Sequence, residues 1–486
     1  MPSALIPYAS GLASGLDDLS SPDAMPAFVN ALVAPGDTIR QRPGIAAYQT
    51  SDAGVELDII GMAVVPVLDA VVYVTSDRRI WALTAPDSDP IALSSLSTAS
   101  TLLDGAARPT IAVTSRGAVI AGGGLLQKVW DLNPAQRLGG SPPSASHVAA
   151  INNRLVVNRQ GNSGRLYWSG TAEGIPGAGN YEEWQTLNFT NADARPDTMT
   201  ATHESIRELW AFGERTVQVY AISDDSLLPF RTVSVLNQGL SAAVYSAVQA
   251  DEVFAWLDSN RRFVVSDGRS TDSLSTPAIQ KTISDLATID DGFGLRVRMD
   301  AFDCLAWVFP TEKTSFCHER NGKRWSTWRG FDATSSDGYA ALGITAHCYW
   351  PERNLQLVGT SSGLIRQLSM DQATDLGEPI RIEVKTGFNN DGSDVLKGSK
   401  RTLYTIRRGV VTYGSDEEYV EIRHRDDLGT WSPWRRHGLG VEGDYDTTIY
   451  DYEGGFYRKR QRHLRYTGTA PFTMVRAEST FQAGRH

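Results

Sequence analysis

Short apolar runs separated by polar turns dominate most of the chain. β-branched and aromatic residues fill the runs, whereas Gly, Asn, Asp and Ser lie between them, which is the pattern of β-strands joined by tight turns. Four-residue turns at 75–78, 258–261 and 320–323 each link two such runs, so we expect consecutive antiparallel hairpins. Helical periodicity is scarce. One short helix is predicted, with Thr276 as its cap, Pro277 in its first turn, and Ile279, Ile283 and Leu286 on one face.

The hairpins recur as loosely similar units. These units lie near residues 60–85, 110–131, 148–169, 205–221, 250–268, 301–328 and 343–368. A long series of hairpins can build a propeller, a large barrel or a sandwich, and recurrence at about 40 to 50 residues favours the propeller. We therefore predict a β-propeller over residues 41–377, with a blade number that the sequence leaves open.

The composition and the hydrophobic pattern of the chain change after about residue 377. Arg and Tyr become frequent, and residues 380–384, 419–423 and 472–478 alternate apolar and polar positions. Such alternation indicates half-buried antiparallel sheets, so residues 378–486 are predicted to form a smaller β-sandwich-like domain. Residues 1–40 are rich in Pro, Gly and Ser and are predicted to be an extended N-terminal arm. The expected fold is all-β, a β-propeller with a C-terminal β-sandwich.

Composition and charge narrow the function. The chain has 486 residues, of which 41% are hydrophobic and 21% charged, as in a globular protein. The net charge is −10, but residues 378–486 hold 18 basic and 16 acidic residues, so the acidity lies in residues 1–377. An acidic body argues against a protein that grips DNA and is compatible with a conduit that repels phosphate. Neither a signal peptide nor a membrane-spanning run is predicted.

The cysteines indicate neither a disulfide framework nor a metal site. Cys304, Cys317 and Cys348 cannot all pair, and no CxxC motif is present. Cys317 precedes His318, and His347 precedes Cys348, which suggests possible metal ligands. Neighbouring residues on a strand point to opposite faces, however, so neither dipeptide aims both groups at one ion. We predict buried thiols and no metal.

Other motifs give no catalytic constellation. The loop from Asn389 to Asp394 carries oxygen ligands but lacks EF-hand spacing, so a surface turn is favoured and ion binding is left open. The neighbouring carboxylates at 290–291 and 417–418 are expected to be solvated turns. We find neither a nucleophile elbow nor a zinc-protease motif. The prediction is a protein that is not an enzyme, with no catalytic, cofactor-binding or metal-binding residues and no cofactor.

Two further motifs have structural interpretations. The densest basic run, residues 458–463, would place Arg458, Arg460 and Arg462 on one face of a strand, and acidic residues lie just upstream. A salt-bridged sheet or subunit contact is favoured over a DNA contact. The repeated WSxW motifs at 325–328 and 431–434 are expected to be hairpins whose Trp rings pack on the sheet beside Arg side chains.

Several stretches together resemble a known family. Residues 28–30 (Phe-Val-Asn) followed by 40–45 (Arg-Gln-Arg-Pro-Gly-Ile) look like the entry segment of the podovirus tail-hub or nozzle proteins, often called packaged-DNA stabilisation proteins. The likeness continues through the stretches 147–170, 208–220 (with Gln218 in place of an acidic residue), 237–245, 358–363 and 456–472. Their order along the chain carries the resemblance, which spans about residues 28–480.

The resemblance implies a structural virion protein of a short phage tail, assembled in the host cytoplasm. It implies a homo-oligomeric, hexameric ring, the nozzle or hub below the portal and adaptor proteins, that retains packaged DNA and conducts it during ejection. Expected partners are a tail needle or plug and, in some tails, tailspikes or fibres. DNA would pass through the lumen without sequence-specific binding, and no membrane insertion is implied. The alternatives are a receptor-binding or a carbohydrate-processing propeller of the tail.

Overall fold

The computed structural model describes residues 3–8, 27–51, 57–94, 102–161, 164–171, 180–191, 197–205, 207–223, 225, 229–408, 418–440 and 446–484. Within these residues, seven four-stranded blades surround one axis and a β-sandwich adjoins them. This confirms the predicted all-β fold, a β-propeller with a smaller C-terminal β-sandwich. None of the helices in the described ranges is long and apolar enough to span a membrane.

The first thirty-four strands of the described ranges, β1 to β34, form the N-terminal segment, the seven blades and one short hairpin. The N-terminal strands are β1 (Ser3–Leu5), β2 (Ala27–Val29), β3 (Ala31–Ala34), β4 (Thr38–Gln41) and β5 (Gly44–Ala47). Blades 1 to 3 contain β6 (Ile59–Val65), β7 (Ala70–Thr75), β8 (Ile80–Leu83), β9 (Ile91–Ala92), β10 (Thr110–Thr114), β11 (Gly117–Ala121), β12 (Gln127–Val129), β13 (Gln136–Arg137), β14 (Val148–Ile151), β15 (Arg154–Asn158), β16 (Arg165–Trp168) and β17 (Phe189–Asn191). Blades 4 to 6 contain β18 (Met199–Glu204), β19 (Glu208–Gly213), β20 (Val217–Ile222), β21 (Phe230–Leu236), β22 (Val248–Ala250), β23 (Val253–Leu257), β24 (Phe263–Ser266), β25 (Thr271–Ser273), β26 (Phe293–Met299), β27 (Phe302–Phe309), β28 (Thr314–Glu319) and β29 (Arg324–Thr327). A hairpin of β30 (Gly330–Phe331) and β31 (Tyr339–Ala340) precedes blade 7, which contains β32 (Ile344–Trp350), β33 (Leu355–Thr360) and β34 (Ile365–Ser369).

Blade 7 closes the ring with a strand from the other end of the sequence. Its strand order is β32, β33, β34 and then β5, which pairs antiparallel with β34. Its inner strand β32 lies beside β6 of blade 1. The circle is therefore closed both by strand pairing and by the contact of the first and last blades.

Each blade buries both faces, because an apolar cluster fills the space between every two neighbouring blades of the described ring. On β19, for example, Leu209 and Ala211 face blade 3, whereas Trp210 and Phe212 face blade 5. Alternate side chains of one strand thus enter different cores. This explains why the propeller strands are nearly continuous apolar runs rather than alternating ones.

The predicted local signals are found where the sequence indicated them. Helix α1 spans Pro277–Ser284, and the Thr276 side chain accepts a hydrogen bond from the Ile279 amide. Ile279 and Ile283 are buried between blades 5 and 6. Each of the seven similar units overlaps one blade, and the turn at 358–363 lies in the last blade, between β33 and β34. Short 3-10 helices occur at Pro66–Leu68, Asn180–Glu182 and Pro351–Arg353.

The sandwich packs two sheets around one apolar core. Its strands are β35 (Thr374–Asp375), β36 (Glu378–Lys385), β37 (Lys397–Arg408), β38 (Tyr419–Asp426), β39 (Arg435–Gly438), β40 (Asp446–Asp451), β41 (Phe456–Tyr457), β42 (Arg460–Gly468) and β43 (Phe472–Ala483). One sheet runs β3-β4-β43-β37-β40. The other contains β2, β36, β42, β38 and β39, and it is continuous with blades 6 and 7 because β2 pairs with β29 and β35 pairs with both β36 and β5. Tyr404 and Ile406 of the first sheet meet Ile422 and Leu464 of the second. The last two strands, β42 and β43, lie in different sheets.

The N-terminal segment differs from the predicted arm. Within the described parts of residues 1–40, β1 and β4 pair with β43, and β2 pairs with β36. Phe28, Val33 and Ile39 enter the sandwich core. The short apolar runs in this Pro- and Gly-rich segment are therefore strands of sheets built mostly from distant parts of the chain, which local sequence cannot reveal because most of the partners lie roughly 300 residues or more away.

Candidate functional site: the junction of propeller and sandwich

Asn30 lies where the propeller meets the sandwich. It follows β2 with a φ of 54°, a left-handed conformation that Asn tolerates better than most residues. Its buried side chain donates hydrogen bonds from Nδ2 to the carbonyls of Arg329 (2.9 Å) and Arg381 (2.8 Å). Its Oδ1 accepts one from the Arg329 amide at 2.7 Å. One side chain thereby connects the segment after blade 6 to β36 of the sandwich.

Arg42 completes this junction. Its guanidinium, with only 1% of the side chain exposed, forms a bidentate pair with Asp375 at 3.1 and 2.5 Å. Its Nε donates to Asn30 Oδ1 at 2.9 Å, and a terminal nitrogen donates to the Arg329 carbonyl at 3.1 Å. A buried, bidentate, charge-assisted pair has strict geometry. It ties the segment that enters blade 7 through β5 to β35, the strand that leads into the sandwich.

Gly44 allows the closing strand to reach this position. A Cβ there would collide with the backbone carbonyl oxygens of Gln372 and Thr374. Asp375 Oδ1 also accepts a hydrogen bond from the Ile45 amide at 3.2 Å. The Arg-Pro-Gly sequence at 42–44 therefore supplies a buried cation, a restricted turn and a close backbone approach in three consecutive residues.

The basic run at 458–463 forms a salt-bridged sheet, as predicted. Arg460 and Arg462 are fully buried, and both pair with Glu453, at 2.9 and 3.2 Å. Arg460 also pairs with Asp426 at 2.6 Å. Arg458, which was predicted to share their face, is exposed because it lies before β42 begins.

The two WSxW motifs differ in environment. Trp325 is buried against Phe263 between blades 5 and 6. Trp431 and Trp434 instead lie half-buried on the outer face of the sandwich, on either side of the Arg423 guanidinium, which is 4.7 and 4.2 Å from the two ring centroids. The predicted stacking of Arg on Trp is therefore confirmed for the second motif.

The candidate metal dipeptides are separated in the fold. Cys317 is buried between blades 6 and 7 with Cys304, whereas His318 contacts the Trp325 ring on the opposite face. His347 pairs with Gln356 at 2.8 Å. In the portion of the chain that is described, no three His, Cys, Asp or Glu side chains group around a common point.

Two of the expected solvated turns are buried acceptors instead. In the 389–394 loop, Asp391 is 6% exposed and accepts a hydrogen bond from Tyr457 at 2.6 Å, so this loop is not simply a surface turn. Glu418 accepts hydrogen bonds from the amides of Thr469 and Ala470 at 2.9 and 3.1 Å. These acidic residues satisfy buried backbone and hydroxyl donors, which a composition-based prediction of surface turns does not anticipate. Glu417 lies outside the described residues.

Side chains from non-neighbouring blades meet at the propeller axis. Arg108, just before blade 2, lies 4.0 Å from the ring centroid of Phe293 in blade 6 and donates to the Thr345 carbonyl of blade 7. His147, just before blade 3, stacks on Tyr245, just before blade 5. Burial lowers the pKa of Arg108 to about 10 and that of His147 to about 3. At this level, the axis is occupied by protein.

A polar groove lies between blades 6 and 7. It has a volume of about 680 Å³, and its lining includes Asp300, Asp371 and the half-exposed Tyr349. A carbohydrate-processing propeller was expected to show clustered carboxylates and Trp platforms on one face. The described lining of this groove contains two carboxylates and no Trp.

Comparison with known proteins adds little to this geometry. The sequence matches no family model and no curated protein. Among solved structures, it is similar to "YCF48 bound to D1 peptide", with 10% sequence identity and a TM-score of 0.38, over 65% of this chain and 94% of that chain. A likeness at this level carries no functional conclusion.

Proposed function

We propose that this chain is a structural subunit of a short phage tail. Copies would form a ring, the hub or nozzle below the portal and adaptor, that retains packaged DNA and conducts it during ejection. The observation that carries the proposal is the junction. Asn30, Arg42 and Gly44, which belong to the first stretch of the tail-hub resemblance, connect propeller and sandwich into one rigid unit.

A rigid subunit suits a mechanical role. Work in a pressurised tail would come from packing and ring geometry rather than from chemistry. Since Arg108 and Phe293 meet across the propeller axis, DNA would pass between copies around a larger central lumen and not through a single propeller. The acidity of residues 1–377 supports a lumen wall that repels phosphate.

The proposal is tested by DNA retention. Phage particles would be assembled with and without the chain, and nuclease-accessible DNA would be measured after packaging. We expect particles without the chain to lose their DNA and purified chain to restore retention. A Leu187→Ser variant, altered at an exposed side chain far from the junction, should restore retention equally well.

A different defect would contradict the proposal. If particles without the chain hold their DNA but fail to attach to cells, the receptor-binding alternative replaces it. If they hold DNA and attach but fail to degrade surface polysaccharide, the carbohydrate-processing alternative replaces it.

A further inference from the structure

An aromatic loop projects from the edge of the sandwich. Tyr452 and Phe456 are 71% and 72% exposed, whereas Glu453 and Tyr457, which lie next to them in sequence, are fully buried. Large aromatic side chains are rarely left this exposed in a monomer without reason, and these two lie only four residues apart in the sequence. We define the aromatic loop as residues 450–457; it also contains Tyr450, which is 45% exposed.

Buried charges hold the aromatic loop in place. Glu453 points inward to pair with Arg460 and Arg462. Arg460 also donates to the Gly454 carbonyl at 2.9 Å, and the Ser399 amide donates to the Gly455 carbonyl at 3.0 Å. The exposed rings therefore sit on a fixed backbone, so binding through them costs little ordering entropy.

Several basic side chains lie near the exposed rings. Arg401 stacks on Tyr450 at 5.1 Å, and Lys400, Arg458 and Lys459 are exposed nearby along β37 and at the end of the loop. The carboxylate of Asp427 accepts hydrogen bonds from the backbone amides of Arg458 and Lys459, which holds the backbone in place after the aromatic loop. Asp394 and Asp427 contact Arg458 as well, so four basic and two acidic residues surround the rings. Aromatic anchors beside an excess of basic side chains suit an acidic protein surface.

The first part of the chain has the complementary net charge. Residues 1–377 contain 40 acidic and 28 basic residues, whereas residues 378–486 contain 16 acidic and 18 basic ones. We propose that the aromatic loop of one copy docks on the acidic propeller of a second copy. Because the two patches differ, the contact is heterologous, and such contacts close into rings when the rotation permits. The ring context rests on the proposed function.

Photo-crosslinking tests the contact directly. Phe456 would be replaced by p-benzoylphenylalanine in the full-length protein, and unlabelled protein would be mixed with ¹⁵N-labelled protein before irradiation. We expect mixed-isotope crosslinks between position 456 and residues 41–377. Crosslinks only within one copy, or none, would overturn the inference.

Substitutions give an independent measure. A Tyr452→Ser/Phe456→Ser variant should weaken self-association roughly 30-fold, as expected when two aromatic anchors are lost, whereas Leu187→Ser, at an equally exposed propeller position, should leave it unchanged. Lys400→Glu/Lys459→Glu should also weaken it. Unchanged association of both variants would overturn the inference.

The two proposals fail separately. If the protein retains DNA in particles but gives no crosslink between copies at position 456, the proposed tail function is supported and the proposed interface is wrong. If it crosslinks between copies but does not retain DNA, the interface is supported and the proposed tail function is wrong.

Discussion

Two buried clusters, one in the propeller and one in the sandwich, are stabilised by different chemistry. Between blades 5 and 6, Trp307 stacks on Phe263 with ring centroids 4.2 Å apart, inside an apolar cluster. In the sandwich, Glu453, Arg460 and Arg462 are equally buried yet charged, beside the apolar core of that domain. Apolar packing gains free energy in proportion to the area buried, whereas buried ion pairs roughly repay their desolvation. We therefore expect the aromatic cluster to supply stability and the charged cluster to supply defined geometry.

The largest expected effect is in the propeller. Trp307→Ala would remove the stacked ring and the hydrogen bond from its Nε1 to the Ser246 carbonyl (2.8 Å). We expect a loss of about 4 to 5 kcal/mol in the free energy of unfolding, measured by urea denaturation. Trp307→Phe keeps most of the packing and should lose less than half as much. Equal losses would show that ring stacking is not what stabilises this interface.

The buried charges should respond differently. Glu453→Gln leaves two buried guanidinium groups without their shared carboxylate, so we expect a loss of about 3 to 4 kcal/mol in the same measurement. A variant that replaces the whole network, Glu453→Leu/Arg460→Met/Arg462→Met together with Asp391→Asn/Asp426→Asn at the other two carboxylates beside these guanidinium groups, should instead lie within about 1 kcal/mol of the native protein or be more stable. A network variant as unstable as Glu453→Gln would contradict the view that these charges serve geometry rather than stability.

These two regions also differ in how far the sequence predicts them. Hairpins, the capped helix and the seven units are local signals, because each strand pairs with its sequence neighbour. The closure of blade 7 by β5 and the pairing of β1, β2 and β4 with the sandwich depend on partners hundreds of residues away. Local pattern carries no information about such partners.

The candidate site was predictable only in part. Asn30 and the Arg-Pro-Gly segment stood out through the family resemblance, but nothing in the sequence indicates that Asp375 is the partner of Arg42. The run at 458–463 read correctly as a salt-bridged strand, because alternation puts Arg460 and Arg462 on one face. The aromatic loop was missed. In the sequence, Asp451, Tyr452 and Glu453 alternate charged and aromatic residues, which normally predicts a buried aromatic side chain. The structure shows the reverse, because Asp451 and Glu453 are buried and Tyr452 is exposed.

The pH dependence of stability should show the buried imidazole of His203 in the propeller. Burial lowers the pKa of His203, near the propeller axis, to about 4. Because the unfolded state takes up a proton near pH 6.5 and the folded state does not, stability should fall as the pH drops from about 6.5 to 4. His203→Phe, which can pack on Phe212, should reduce this fall by about 2 kcal/mol. An unchanged pH profile would contradict burial of a neutral imidazole.

A sandwich carboxylate provides the contrast. Burial raises the pKa of Glu383, but the hydrogen bonds with His463 and Tyr339 and the nearby charge of Arg465 together outweigh it and lower the pKa to about 2. Its stabilising contribution is present above about pH 4.5 and is lost only as the pH falls towards 2. His203→Phe should therefore leave the unfolding profile in this lower range unchanged.

The smallest expected effect concerns the exposed Arg–Trp stack. Arg423→Gln removes the cation between Trp431 and Trp434, and we expect a loss of about 1 kcal/mol together with altered Trp fluorescence. Arg407→Gln, at a side chain that is 62% exposed and pairs with Asp446, should change stability by less than about 0.5 kcal/mol. Equal effects would mean that stacking adds nothing beyond a surface charge.

Native mass spectrometry of the purified protein, with and without a portal–adaptor complex, tests the central claim most directly. A structural tail hub should give a hexamer, or a monomer that becomes six copies only on the adaptor. A trimer, or a monomer that ignores the adaptor, would contradict the tail-hub account and favour a receptor-binding or carbohydrate-processing propeller.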